Sequence, residues 1–435
     1  MSCECTNTGL DIFTVPPIQT SVESGCWVEF YPLATLSDSG PIEFVVKGDS
    51  EHYLDLSNSY IHAQIKVVKS DNSNLLDTDP IAPVNLILHS LFSSVDISLN
   101  GTLITSSTNT YPYRAYLETL LNYGNDAKSS QLNNAGYYNE GGPFYDYANS
   151  AKAPEGFKQR AKNIKSSRTL DLIGKIHADL FSQSKYLLNG IDMRLKFTRS
   201  KDAFSLLVKA PADGEVDNYK IKMLHMSLFV RKAALNPAIV LAHGKGLMHS
   251  TAKYPIKRVM TKIYSISSGV SNFIKDNLYL SKKPQRLLIG FVSSKAFNGD
   301  YHSDPFQFKH YDINSLALYS EGHQIPSKAL KPDFENKNYA RSYLTLFMGS
   351  GYAFKDSGID ISYEDYMNGC TLFCFDLSPS LIDGHVAEPI KSGNLRLEVT
   401  FSKALPEPVH VIVYGEQDGL VEIDKARQVI SDFSA

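Results

Sequence analysis

The chain repeats itself. Leu54-Asp55-Leu56-Ser57 and Ile65 to Ser70 lie over Leu278-Tyr279-Leu280-Ser281 and Ile289 to Ser294 without a gap, at an offset of 224 residues. Val95-Asp96-Ile97, Gly101 and Ile104 lie over Leu316-Ala317-Leu318, Gly322 and Ile325 at 221. Arg114-Ala115-Tyr116-Leu117 and Gly124 lie over Arg341-Ser342-Tyr343-Leu344 and Gly351 at 227. Asp179-Leu180 matches Asp376-Leu377 at 197, and Arg194 to Thr198 with Ser200-Lys201 matches Arg396 to Thr400 with Ser402-Lys403 at 202. Each match alone is weak, but five in one order with similar offsets describe two copies of one module of about 200 residues. The offset drops between Gly124 and Asp179, so the first copy carries the longer loop there, with Gly136 to Pro143 and a basic cluster in it.

Within each copy the pattern is mostly short strands. Ser59 to Val68 and Ser93 to Leu99 alternate apolar with polar, and Asn100-Gly101 marks a tight hairpin. Met193 to Phe197 and Leu395 to Val399 are apolar inward and charged outward at period two. Ile221 to Val230 closes the first copy and Val409 to Tyr414 the second. One helix is expected per copy. Tyr113, Tyr116, Leu117, Leu120 and Leu121 fall at helical spacing between Pro112, suited to the first turn, and Gly124, suited to the C′ position. Tyr339, Tyr343, Leu346, Phe347 and Gly351 repeat the pattern. Both stripes read as core-packing faces. Roughly eight strands and one helix, twice over, predict an all-β chain of two tandem antiparallel sandwiches; on pattern alone, jelly rolls and other sandwiches both remain open. The boundaries are an N-terminal arm over 1–30, modules over 31–232 and 233–424, and a C-terminal tail over 425–435.

Charge is balanced overall, with 43 Lys and Arg against 46 Asp and Glu, which argues against a bulk nucleic-acid binder. The first base is Lys47, after six acids (Glu4, Asp11, Glu23, Glu29, Asp38, Glu43), and the stretch from Glu407 is acidic again. Six bases (Lys152, Lys158, Arg160, Lys162, Lys165, Arg168) face only Glu155 in between. That cluster reads either as a solvated loop or as a basic surface for an acidic neighbour. Five cysteines (Cys3, Cys5, Cys26, Cys370, Cys374) make no disulfide framework, and the N-terminus has no secretory pattern, so folding in a reducing compartment is expected. The apolar runs are strand-length, and no transmembrane segment is expected.

The chemistry of sites gives little. Gly244-Lys245-Gly246 lacks the spacing of a phosphate-binding loop. His243 and His249 are six apart, wrong for one helical face, and read as loop histidines. Cys3/Cys5 and Cys370/Cys374 could be zinc half-sites, but four ligands in paired spacing are needed; Cys370 and Cys374 read as buried thiols. Asp77/Asp79 and Asp356/Asp360 sit in polar loops, and Asp304 and Asp312 have no base–nucleophile partner. The reading is therefore no enzyme, no cofactor, no metal and no catalytic residue.

A resemblance fits these residues. Val15 to Ser21, Trp27 to Pro32, Ser37 to Phe44, Tyr111 to Gly124, Leu188 to Leu195 and Ser200 to Phe204 carry it. With them the sequence resembles the double-jelly-roll, hexon-like major capsid proteins of Polinton/Maverick elements and adintoviruses, from about residue 10 to 424. The resemblance implies two tandem eight-stranded jelly rolls and a homotrimer that tiles an icosahedral shell around a DNA genome. The implied partners are copies of itself and a penton-type minor capsid protein, without sequence-specific nucleic-acid binding. The implied place is the virion, after synthesis in the host cytoplasm and assembly there or in the nucleus. Two similar modules per chain and three chains per closed ring give six lobes, a pseudo-hexagonal tile. The loop from Tyr137 to Tyr147, and the acidic ends against the basic cluster, are the expected contact elements. The base-free arm implies a shell that encloses DNA without a condensing tail. A carbohydrate-binding double sandwich, a hydrolase on the same scaffold and a host-captured capsid gene are the alternatives.

Overall fold

In the computed structural model, which describes residues 18–105, 109–140, 153–208, 218–279, 282–356, 358–378 and 393–431, each copy of the repeat folds as two facing antiparallel sheets. The first module is built from β1 (Val22–Phe30), β2 (Ile42–Val46), β3 (His52–Lys69), β4 (Phe92–Leu99), β5 (Thr102–Thr105), β6 (Leu170–Lys175), β7 (Met193–Arg199) and β8 (Tyr219–Leu235). Its sheets run β1-β8-β3-β6 and β2-β7-β4-β5. The second module follows with β9 (Ala252–Ile266), β10 (Asn272–Lys275), β11 (Arg286–Ser293), β12 (Ile313–Ser320), β13 (His323–Leu330), β14 (Leu372–Asp376), β15 (Leu395–Phe401) and β16 (Val409–Ile423). Its sheets run β9-β16-β11-β14 and β10-β15-β12-β13, with β17 (Val429–Ser431) added beside β16. The two orders are identical strand for strand, and this eight-stranded order is that of a jelly roll.

Period-two patterning makes these strands. On β3, Ile61, Ala63, Ile65 and Val67 are buried, while Tyr60, His62, Gln64 and Lys66 face outward. On β15, Leu395, Leu397, Val399 and Phe401 point inward, and Phe401 meets Phe291 of the facing sheet edge-on at 6.1 Å. Each such side chain contributes about 1.5–3 kcal/mol by leaving water. The β4–β5 and β12–β13 hairpins share a backbone solution. Asn100 and Gly101 have φ of 46° and 83°, Glu321 and Gly322 of 51° and 83°. Two successive positive φ values suit the twist of a tight hairpin, and glycine takes the second without strain.

Three of the five matches fall on corresponding elements, the fourth–fifth hairpin, the helix after it and the seventh strand. In the others, Leu54–Ser57 lies on β3 while Leu278-Tyr279 precedes β11, and Asp179 opens a short turn past β6 while Asp376 ends β14. Among the described residues, the helices longer than five residues are α1 (Tyr111–Asn122), α2 (Glu155–Asn163) and α3 (Pro237–Leu247), then α4 (Ala340–Ser350) as the copy of α1. Four expectations need correction. Val22–Phe30, placed in the arm, is a strand of the first module, paired along β8. The boundary at 232/233 cuts β8, which runs to Leu235. Part of the tail is β17, paired with Val421–Ile423. Gly351 takes the left-handed conformation at the end of α4, whereas Gly124 does not: α1 ends in extended backbone at Tyr123, and Gly124 precedes another helical turn.

Candidate assembly site

The two modules meet at α1. Its apolar stripe packs on the first module, as periodicity predicts, but its other faces are buried as well, because the second module covers them. Tyr116 stacks on Phe306 at 4.3 Å and Tyr113 on Phe297 at 5.6 Å, Phe297 lying on the short helical turn Ser294–Asn298 that follows β11 and Phe306 in the loop after it. Phe306 also meets Tyr113 edge-on at 5.8 Å. These offset and edge-on pairings are the favourable geometries for aromatic rings.

A buried polar network continues the seam. The Arg114 guanidinium reaches Glu118 one turn along the helix and Asp179 beyond β6, each at 2.8 Å. Glu118 also pairs with His177 at 2.7 Å and accepts from the Tyr414 hydroxyl at 3.4 Å, across the seam. Asp179 accepts from the backbone amide of Val259 on β9, also across the seam. Burial raises the Glu118 pKa, but Arg114 and His177 more than offset this and hold it down to about 2. His89 lies edge-on to His177 and bonds the Tyr111 hydroxyl; burial first, then His177, keeps it well below its ordinary value. Further out, Arg258 donates to the Ile104 carbonyl, Lys128 to those of Leu120 and Ile359, and Arg427 to Asn189. Several of these bonds cross between the modules, so the angle between them is set by directional bonds as well as packing.

The residues singled out from sequence are dispersed. His243, read from sequence as a loop histidine, instead lies on the helix α3, its Nδ1 3.1 Å from the Tyr53 hydroxyl, while His249 is exposed just past that helix. Cys370 and Cys374 are buried, and burial raises the Cys374 thiol to about 12; Cys3 and Cys5 lie outside the described residues. Asp77 accepts from Ser166, Asp79 pairs with Lys69 at 3.4 Å, and Asp360 accepts from Asn139. Asp304 is buried and accepts from the Phe306 amide, bracing the seam loop, and Asp312 pairs with His310. Among the described residues no group of three or more His, Cys, Asp or Glu could hold a metal ion, and no helix is long and apolar enough to cross a membrane.

The expected contact elements change in detail. Lys158, Lys162, Lys165 and Arg168 are exposed on and after α2, but Arg160 is buried, paired with Glu140 at 2.6 Å and donating to the Pro83 carbonyl. Lys152 and the loop from 141 onward lie outside the described residues, and Tyr137, expected at a surface, is buried. The acids near the C-terminus pair within the second module: Glu407 with Lys309, Glu416 with Arg286 and Asp418 with Lys257. Lys158→Glu with Lys162→Glu is therefore expected to leave the melting temperature nearly unchanged, within about 0.5 kcal/mol. Arg160→Glu should cost several kcal/mol by burying two like charges.

Sequence reasoning missed the seam. The available signal was Arg114 and Glu118, an i,i+4 pair on an otherwise apolar helix, together with the aromatic run Phe306–Phe308 in a loop.

No protein-family profile matches the chain. An uncharacterized protein of Caenorhabditis elegans, F54H12.2, is 27% identical over 430 residues, covering 96% of this chain and 99% of its own. Among solved structures, a chain of the Sputnik virophage superposes with a TM-score of 0.66 at 12% identity, over 98% of this chain and 91% of its own. A PBCV-1 virus capsid chain gives 0.59 at 10%, over 97% and 100%. The mavirus major capsid protein gives 0.53 at 11%, over 100% and 94%. The fold is the double jelly roll. These neighbours are viral capsid proteins, and the likeness extends along both jelly rolls rather than one.

Proposed function

We propose that this chain is the major capsid protein of a DNA virus or virus-like mobile element, a structural subunit rather than an enzyme. The observation that carries the reading is the seam: two jelly rolls of identical strand order, locked together by α1, with capsid proteins as full-length structural neighbours. A rigid two-lobed chain is the unit from which three copies make a six-lobed tile, and such tiles pack edge to edge into an icosahedral shell. A penton-type minor protein would fill the vertices, and the virion is the site of action. The Polinton/Maverick or adintovirus kind is the assignment favoured by the sequence resemblance. The nematode relative supports residence in an animal genome, whether as an active element or as a captured copy.

Negative-stain microscopy of the expressed protein tests this. Closed shells or flat hexagonal arrays are expected, with duplex DNA bound weakly at physiological salt because the arm carries no base before Lys47. Isolated single chains at every concentration would contradict the reading.

A further inference from the structure

One helix does not do the packing that its composition calls for. Ile239, Val240, Leu241 and Leu247 make α3 apolar, yet not one of its residues is buried. A surface helix of a folded domain normally hides its apolar stripe against the core. Beneath α3 the chain instead keeps a cavity of about 680 Å³, open to solvent and placed where the two modules join. Tyr53, Leu188 and Leu235 wall it from the first module, Tyr254 from the second, and Ala242 and Leu247 from the helix. Small-molecule sites run from about 300 to 1,000 Å³ with mostly apolar walls and a few convergent polar groups. Here those groups are basic. Lys185 and Lys253 stand exposed at the rim, held together by the Lys185 ammonium, which donates to the Lys253 carbonyl at 3.0 Å. No Asp or Glu lines the cavity, and neither lysine pairs with a carboxylate among the described residues.

The roof is soft. Gly244 and Gly246 stand in the second half of α3, and a Cβ at either would meet nothing within 4 Å. Crowding therefore does not require these glycines, and each weakens a helix relative to alanine. The Gly-Lys-Gly run that fails as a phosphate-binding loop is thus a loosened stretch of a cavity roof. The helix is pinned on either side of the void: Asn236 caps its start by accepting from the Ala238 amide at 3.0 Å, and His243 meets the Tyr53 hydroxyl.

We propose that this cavity binds one long-chain monocarboxylate, with its hydrocarbon tail under α3 and its carboxylate between Lys185 and Lys253. The tail would take the underside of α3 and the facing walls out of water, which no part of the chain itself does. The carboxylate would give two unmatched ammonium groups a charged acceptor. A neutral hydrocarbon would leave the lysines unmatched, and a wholly polar ligand would leave the walls unfilled. The site lies within one chain, so it stands or falls independently of the capsid reading.

Isothermal titration of the full chain with dodecanoate, kept below its micelle concentration, tests the proposal. One molecule per chain is expected, with dodecanol, which lacks the charge, bound about 10-fold or more weakly. Lys185→Ala with Lys253→Ala is expected to lower dodecanoate affinity to that of dodecanol while leaving dodecanol unchanged. Ala242→Trp fills the cavity from an exposed position and is expected to abolish binding of both. Wild-type melting temperatures of the empty variants confirm folding. A wild-type chain that shows no saturable binding would overturn the site. Several molecules per chain, unaffected by Ala242→Trp, would mean coating of the surface and would overturn it as well. Equal affinity for dodecanoate and dodecanol would overturn the assignment of the carboxylate to the lysines.

Discussion

Arg114→Ala is expected to destabilise the chain by about 3–5 kcal/mol, because it leaves Glu118 and Asp179 as buried carboxylates without their cation. The urea midpoint at neutral pH reads this, and a loss below about 1 kcal/mol would contradict it. The same network fixes the pH dependence. Glu118 is depressed in the fold, so its contribution is complete above the unfolded pKa of about 4.3 and is lost as pH falls toward about 2. His89 is held neutral in the fold, so below about 6.5 the unfolded chain takes a proton that the native chain refuses. Both terms have one sign: acid weakens the seam, first through His89 and then through Glu118. Glu118→Gln should flatten the second part of that slope.

Phe306→Ala is expected to cost about 3–5 kcal/mol by opening a cavity among Tyr116, Tyr113 and Phe204. Its second consequence is qualitative. Each jelly roll has its own two-sheet core, so weakening the contact between them should split one calorimetric transition into two. Phe354→Ala, at a position almost fully exposed, is the control and should leave the unassociated chain within about 0.5 kcal/mol of wild type. A single unshifted transition in Phe306→Ala would show that the seam does not couple the modules.

What the sequence disclosed follows from where its signals are local. The duplication was readable because hairpin, helix and strand chemistry recur: Asn100-Gly101 and Glu321-Gly322 make the same turn, and Leu195 and Leu397 point into corresponding cores. β1 was lost to the arm because its side chains are mostly exposed, which erases the alternation that marks a half-buried strand. Arg160 reads as a surface base because nothing local announces its partner Glu140, 20 residues earlier in the sequence. The seam was invisible for a similar reason. Tyr116 belongs to a regular amphipathic stripe, and periodicity cannot tell that Phe306, 190 residues onward, completes its burial. The helix faces were legible one module at a time, and the meeting of the modules was not.

The central claim is that two jelly rolls held at one fixed angle make a third of a six-lobed capsomer. Single-particle imaging of the purified full-length chain tests it most directly. The account predicts particles of three times the 48.3 kDa chain mass, showing six similar lobes around a three-fold axis. Particles of one chain, or closed pairs related by a two-fold axis, would contradict it.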